Sequence, residues 1–318
     1  MTEKHIKQVA IVGTGVIGSG WAARCLAKAL DVVATDPAPD AEQGLRQNVA
    51  NAWPALQRMG LAAGADQSRL IFEHDLKAAV TDADFVQESA PEREDVKQKL
   101  HAMIDACVPR DVVIASSSSG LLPSRIQADC RHPERVVIGH PFNPVYLLPL
   151  VEVVGGDKTS FATVDKAANF YRSLDMHVLH VRKEIDGYIS DRLQEAIWRE
   201  ALHLINDGVA TTEEIDAAIT YGPGLRWAFM GPCLTFHLAG GDLGMSHMLE
   251  QFGPALKLPW TKLEAPELTQ QLTQRIVEGT AKQAGNATVK EIERKRDECL
   301  IEIMDAIKQS WDGGSAKT

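Results

Sequence analysis

The sequence predicts an α/β protein, with a doubly wound sheet over residues 1–184 followed by an all-α domain over residues 185–318. Three observations predict it. Short β-branched apolar runs alternate with helical patterns as far as residue 181, and a glycine-rich turn joins the first run to the first helix. From Asp186 onward strand signals stop and helical periodicity takes over. A chain of 318 residues with 45% hydrophobic side chains can fill more than one core, so two domains are expected.

The first strand is the run 9–12, which leads into Gly13, Gly15 and Gly18 in G-x-G-x-x-G spacing, with Val16 and Ile17 between the last two. A helical pattern follows through Cys25 and Leu26. In such a strand, turn and helix the first glycine permits the turn, the second lets backbone approach a pyrophosphate, and the third allows close helix packing. The helix N-terminus supplies the anion site. A second strand, 31–35, ends in Asp36, which lies 18 residues beyond Gly18 at the place for an acidic group on an adenosine ribose. Its charge argues for NAD over NADP, and the unit reads as a Rossmann-type domain.

Further strands are expected at 83–87, 112–115, 136–139, 151–154 and 177–181. Ligands of doubly wound sheets lie outside the carboxyl ends of the strands. Residues 88–92, 116–119 and His140 all fall at or just after strand ends, so the candidate chemistry converges on one crevice. In the second domain helices are expected over 189–206, after a Thr211–Glu214 capping-box match, over the run 232–252, and from Val289. Leu300, Met304, Ile307 and Trp311 share one face of that last helix, which reads as core or subunit contact, and the tail from Asp312 reads as disordered.

The segment 139–154, GHPFNPVYLLPLVEVV, places His140, Asn143 and Glu152 at the ends of two apolar runs. An imidazole titrates near neutral pH, and a carboxylate that holds one ring nitrogen fixes the tautomer and stabilises the imidazolium, so that the other nitrogen can take a proton. Pro141 and Pro144 stiffen the loop that presents Asn143. On these residues alone, a capped loop with a purely structural histidine is an equal reading.

Composition narrows the partners. Asp and Glu outnumber Lys and Arg by 43 to 33, a net charge of −10, which disfavours nucleic acid. The five cysteines form no CxxC pair and sit in apolar or helical settings, so buried reduced thiols, no metal site and a reducing cytoplasm are expected. No apolar stretch approaches the ~20 residues of a membrane span.

These residues resemble the 3-hydroxyacyl-CoA dehydrogenase family over nearly the whole chain. That family pairs an NAD-binding domain with a helical, dimer-forming carboxyl-terminal domain, so NAD as cofactor and a homodimer are implied. Its H-x-F-N-P…E pattern is matched by His140, Phe142, Asn143, Pro144 and Glu152, which implies a catalytic His140–Glu152 pair. The family's S-N-T-S-S segment reads Ser116, Ser117, Ser118, Ser119, Gly120 here, making Ser119 the counterpart of the serine that touches the substrate oxygen, unless it serves only as a helix N-cap. Glu92 and Lys97 resemble the family's glutamate and lysine near the nicotinamide ribose. Solvated helix charges are their other use.

Two departures bear on the substrate. Where the family has asparagine before Arg and Leu, this chain has Asp191 before Arg192 and Leu193, a negative charge that a cationic substrate would favour. The segment 221–232, YGPGLRWAFMGP, is similar to that of family members acting on small free hydroxy acids, L-gulonate and L-carnitine among them. Arg226 could clamp a carboxylate, with a structural ion pair as its rival use. Trp227, Phe229, Phe236, Tyr188 and Trp198 offer aromatic faces to a quaternary ammonium. Asp191, Arg226, Trp227 and Phe229 together point to a zwitterion, and carnitine fits. L-gulonate and a short-chain 3-hydroxyacyl-CoA are the alternative substrates, although the segment 40–66, where CoA phosphates would want cations, has only Arg46 and Arg58. A crystallin-like structural protein that merely binds NAD is the non-enzymatic alternative.

Overall fold

Burial on two faces explains why the apolar runs of the first half become strands. The computed structural model describes residues 6–261, 267, 269–284 and 286–310. Its sheet comprises β1 (Gln8–Val12), β2 (Asp31–Thr35), β3 (Leu70–Phe72), β4 (Phe85–Glu88), β5 (Val113–Ser116), β6 (Val136–Pro141), β7 (Leu150–Gly155) and β8 (His177–Val181). Helices α1 (Val16–Ala27), α2 (Ala41–Met59), α3 (Leu76–Thr81), α4 (Glu94–Asp105), α5 (Pro123–Ile126) and α6 (Phe161–Ser173) alternate with them. Along β1, Val9 and Ile11 join one core cluster with Trp21, Leu45 and Phe170, whereas Ala10 and Val12 join another with Val80, Ile104 and Ile138. Successive side chains of a strand point to opposite faces, so a sheet covered on both sides needs unbroken apolar runs.

The strand order is β3-β2-β1-β4-β5-β6-β7-β8, with every neighbouring pair parallel except β6 and β7. The sequence reading omits β3. It is a three-residue edge strand whose central Ile71 is 58% exposed, too short and too wet to show either strand period.

Contacts divide the chain into two units, Met1–Asp191 and Arg192–Thr318, with the division inside the first turn of α7 (Ser190–Asn206). The second unit consists of the remainder of α7, then α8 (Thr212–Thr220), α9 (Pro223–Trp227), α10 (Pro232–Ala239), α11 (Gly244–Phe252), α12 (Gln270–Ala284) and α13 (Val289–Ser310). The capping box before α8 forms as expected: Glu214 N–H donates to the Thr211 hydroxyl, and Thr211 N–H donates to the Glu214 carboxylate. The run 232–252 is two helices rather than one, because Gly241 and Gly244 adopt φ values of +61° and +63° and interrupt it with a 3-10 turn. On α13, Leu300, Met304 and Ile307 are half-buried beside the buried Ile301, while Trp311 and the tail from Asp312 lie outside the described residues. All five cysteines are free, but only Cys25 is buried; Cys233 and Cys299 are exposed, because their helices present wet faces. Among the described residues no helix is long and apolar enough to cross a membrane.

Candidate active site

The glycine loop follows β1 directly. Gly13 adopts φ +92°, and a Cβ there would lie 2.7 Å from the Ser89 backbone; a Cβ on Gly18 would lie 1.9 Å from the Gly13 carbonyl oxygen. Only glycine fits either place. A Cβ on Gly15 would meet nothing within 4 Å, and α1 starts at Val16 with no side chain capping its first N–H groups. That combination leaves open space in front of unpaired helix donors, which is what a dinucleotide pyrophosphate requires. Asp36 Oδ2 accepts from Thr14 N–H at 2.8 Å and Oδ1 from Ala38 N–H at 2.9 Å. Oδ2 also accepts from the Thr14 hydroxyl at 3.3 Å, so Oδ1 is the oxygen that keeps acceptor capacity for a ribose hydroxyl. These residues fit NAD.

At the carboxyl end of β4 lies a buried charge cluster. Glu88 and Lys97 pair at 2.7 Å with side chains 0% and 1% exposed, and Lys97 Nζ also donates to the Ala90 carbonyl at 3.0 Å. Lys97 is therefore not a solvated helix charge. Its ammonium lies 3.6 Å from Glu92 Oε2, while Glu92 Oε1 accepts from the Ser118 hydroxyl, from Ser119 N–H at 3.0 Å and from Gly120 N–H at 3.2 Å. Glu92 thus holds the turn that presents the exposed Ser119. The sequence reading leaves Glu88 at a strand end without a role. A single glutamate closing a β-strand carries no local signal that its partner lies on the following helix.

The antiparallel register of β6 and β7 sets His140 directly opposite Glu152. His140 Nδ1 lies 3.0 Å from Glu152 Oε2, with the two side chains 5% and 0% exposed. A carboxylate only accepts, so Nδ1 carries the proton and Nε2 is the basic nitrogen. Glu152 Oε1 accepts from Ile189 N–H at 3.0 Å and Ser190 N–H at 3.1 Å, at the start of α7. Burial would raise the Glu152 carboxyl, but the bond to His140 and these two backbone donors hold it below the usual carboxylate range. On the other side of the ring, His140 Nε2 lies 3.7 Å from Asp191 Oδ2. The imidazole is flanked by two carboxylates. Asn143 is exposed in the loop between the two strands and is followed by a cis peptide bond to Pro144.

β5 and β6 are parallel neighbours with Ser116 beside Ile138, so Ser119 and His140 leave the same end of the sheet. Tyr188 differs from its expected use as an aromatic face for a ligand. It is 0% exposed, because its ring packs 5.6 Å from His140, centroid to centroid. In the second unit Arg226, Trp227 and Phe229 are all exposed within one short stretch around α9, and Trp198 and Phe236 are exposed as well.

The model of the 3-hydroxyacyl-CoA dehydrogenase NAD-binding domain matches residues 8–185, and that of the family's C-terminal domain matches residues 187–289. The chain belongs to the 3-hydroxyacyl-CoA dehydrogenase family. It is 59% identical to the L-carnitine dehydrogenase of Bacillus cereus, over 100% of this chain and 97% of that one. To the L-carnitine dehydrogenase of Pseudomonas aeruginosa it is 62% identical, over 96% and 95% of the two chains. Among solved structures it resembles 5-formyl-3-hydroxy-2-methylpyridine 4-carboxylic acid 5-dehydrogenase, an NAD+-dependent dismutase, with TM-score 0.80 and 27% identity over 96% of this chain and 99% of that one. As a member of the 3-hydroxyacyl-CoA dehydrogenase family the protein is an NAD-dependent oxidoreductase, in accord with the glycine loop and Asp36.

Proposed function

We propose that the protein oxidises the 3-hydroxyl of L-carnitine to the ketone, with NAD as hydride acceptor. The substrate choice rests on Asp191 beside His140 Nε2, at 3.7 Å. In carnitine the ammonium nitrogen stands two bonds from the reacting carbon, so a cation must lie close to whatever flanks the base. A carboxylate there lowers its energy. The identity to L-carnitine dehydrogenases supports the same choice.

In this reading residues 1–184 bind the cofactor and residues 185–318 serve the substrate and a homodimer. The backbone of Gly13, Gly15, Val16, Ile17 and Gly18 holds the pyrophosphate, Asp36 the adenosine ribose, and Glu92, backed by Lys97, the nicotinamide ribose. The cofactor, when bound, supplies the acceptor for the hydride from C3. His140 Nε2 takes the hydroxyl proton, Glu152 stabilises the imidazolium formed, and Ser119 with Asn143 holds the substrate oxygen. Two electrons and one proton leave C3 with the hydride, the second proton goes to His140, and a C=O bond forms. Arg226 clamps the carboxylate, and Trp227 and Phe229 supply faces for the trimethylammonium group, each at about 0.5–2 kcal/mol.

The test is NADH formation with L-carnitine, D-carnitine, L-gulonate and 3-hydroxybutyryl-CoA supplied separately. Turnover is expected with L-carnitine, and in Asp191→Asn its KM should rise at least about tenfold. Turnover with gulonate or the CoA ester alone would overturn the substrate, and absence of turnover with all four would overturn the proposed function. For the homodimer, support comes from large apolar side chains left wet in the second unit: Leu225, Leu238, Leu243 and Trp260 are 63%, 58%, 72% and 72% exposed, more than a monomer favours. Sedimentation velocity should give twice the chain mass of 34.7 kDa. A single species at the chain mass would overturn it.

A further inference from the structure

Ser119 and His140 must meet at one substrate oxygen, yet they stand on different strand ends, so something has to set one against the other. Glu92 holds the Ser118–Gly120 backbone from one side. From the other side, the Tyr188 hydroxyl donates to the Leu121 carbonyl at 2.7 Å, while Leu121 N–H donates to the Ser118 hydroxyl oxygen at 3.1 Å. The turn bearing Ser119 is therefore held at both ends. The ring of the same tyrosine packs on His140, and the two residues that follow it give their N–H groups to Glu152.

We infer that Tyr188 is a positioning residue, which fixes the Ser119 turn relative to the His140–Glu152 pair. This role rests on the proposed convergence of Ser119 and His140 on the substrate oxygen. The backbone of Tyr188 is in the left-handed region at φ +45°, and its N–H donates to the Ile185 carbonyl at 3.1 Å. A non-glycine residue holds that conformation only where its surroundings over-determine it. Here they are the His140 ring, the Leu121 carbonyl and the core cluster of Ile114, Ile126 and Ile138 to which Tyr188 belongs. Burial pushes the phenol above its ordinary range, so the hydroxyl remains a neutral donor across the working pH.

Tyr188→Phe keeps the ring against His140 and removes the hydroxyl with its bond to Leu121 and its interaction with the Ser118 side chain, both on the turn that bears Ser119. With whichever of the four substrates the wild type oxidises, kcat should fall about 10- to 100-fold, since a small misplacement of reacting groups has that effect. The NADH dissociation constant should stay at the wild-type value, and the unfolding temperature should fall by no more than a few degrees, the effect of one lost part-buried hydrogen bond. Ser119→Ala should lower kcat too, and the double variant should be no slower than the slower single one, because the tyrosine acts through the serine. Wild-type kcat in Tyr188→Phe, or losses that multiply in the double variant, would overturn the inference while leaving the proposed function intact. Weakened NADH binding together with a larger fall in the unfolding temperature would show a general structural role and also overturn it. A wild type that oxidises none of the four substrates overturns the proposed function, and this inference with it.

Discussion

His140→Ala should lose about 10²- to 10⁴-fold in kcat and bind NADH as the wild type does, because general base catalysis contributes that much and β4 and β5 separate the histidine's strand from the glycine loop after β1. Its Nε2 is the ring nitrogen not engaged by Glu152, and the register of β6 and β7 holds the ring at the sheet end where Ser119 also emerges. Steady-state rates of NADH formation and a fluorescence titration with NADH check both halves. A variant that turned over normally would remove His140 as the base. One that lost NADH affinity in parallel with kcat would show that the histidine serves cofactor binding instead.

Lys97→Met should destabilise the protein by about 3–5 kcal/mol, since it leaves the Glu88 carboxylate buried without its cation. Glu88 is 0% exposed and would keep the Ser116 hydroxyl at 2.5 Å and the Ala90 N–H at 2.5 Å as donors. Nearby His101 replaces the cation only weakly: its Nδ1 faces the Lys97 carbonyl at 2.8 Å, its Nε2 lies 3.7 Å from Glu88 Oε2, and burial holds the ring below its ordinary range. Urea unfolding measures the loss, and Glu88→Leu combined with Lys97→Met should recover most of it, as apolar replacements of buried pairs do. A Lys97→Met protein as stable as the wild type but weaker for NADH would assign the lysine to direct cofactor contact.

Much of the protein can be read from local pattern. The strand–turn–helix unit ending at Asp36, the paired apolar runs around His140 and Glu152, and the shift to helical periodicity after Asp186 are all short-range signals. Each depends on residues a few positions apart, where backbone sterics and side-chain period act directly. The break of 232–252 at Gly241 and Gly244 is also written locally, since two left-handed glycines end a helix, although the apolar pattern around them masks it.

Local pattern therefore sets the kind of fold, the dinucleotide loop and the candidacy of a histidine and a carboxylate as a pair. Long-range packing sets the rest. The antiparallel course of β7 makes His140 and Glu152 direct partners, Glu88 finds its cation on α4, and Tyr188, expected as a ligand-facing ring, is buried with its ring against His140. Each of these depends on groups brought together from separate elements, and burial is what makes such contacts selective: out of water, every charge and hydroxyl must find a partner, wherever in the chain that partner lies.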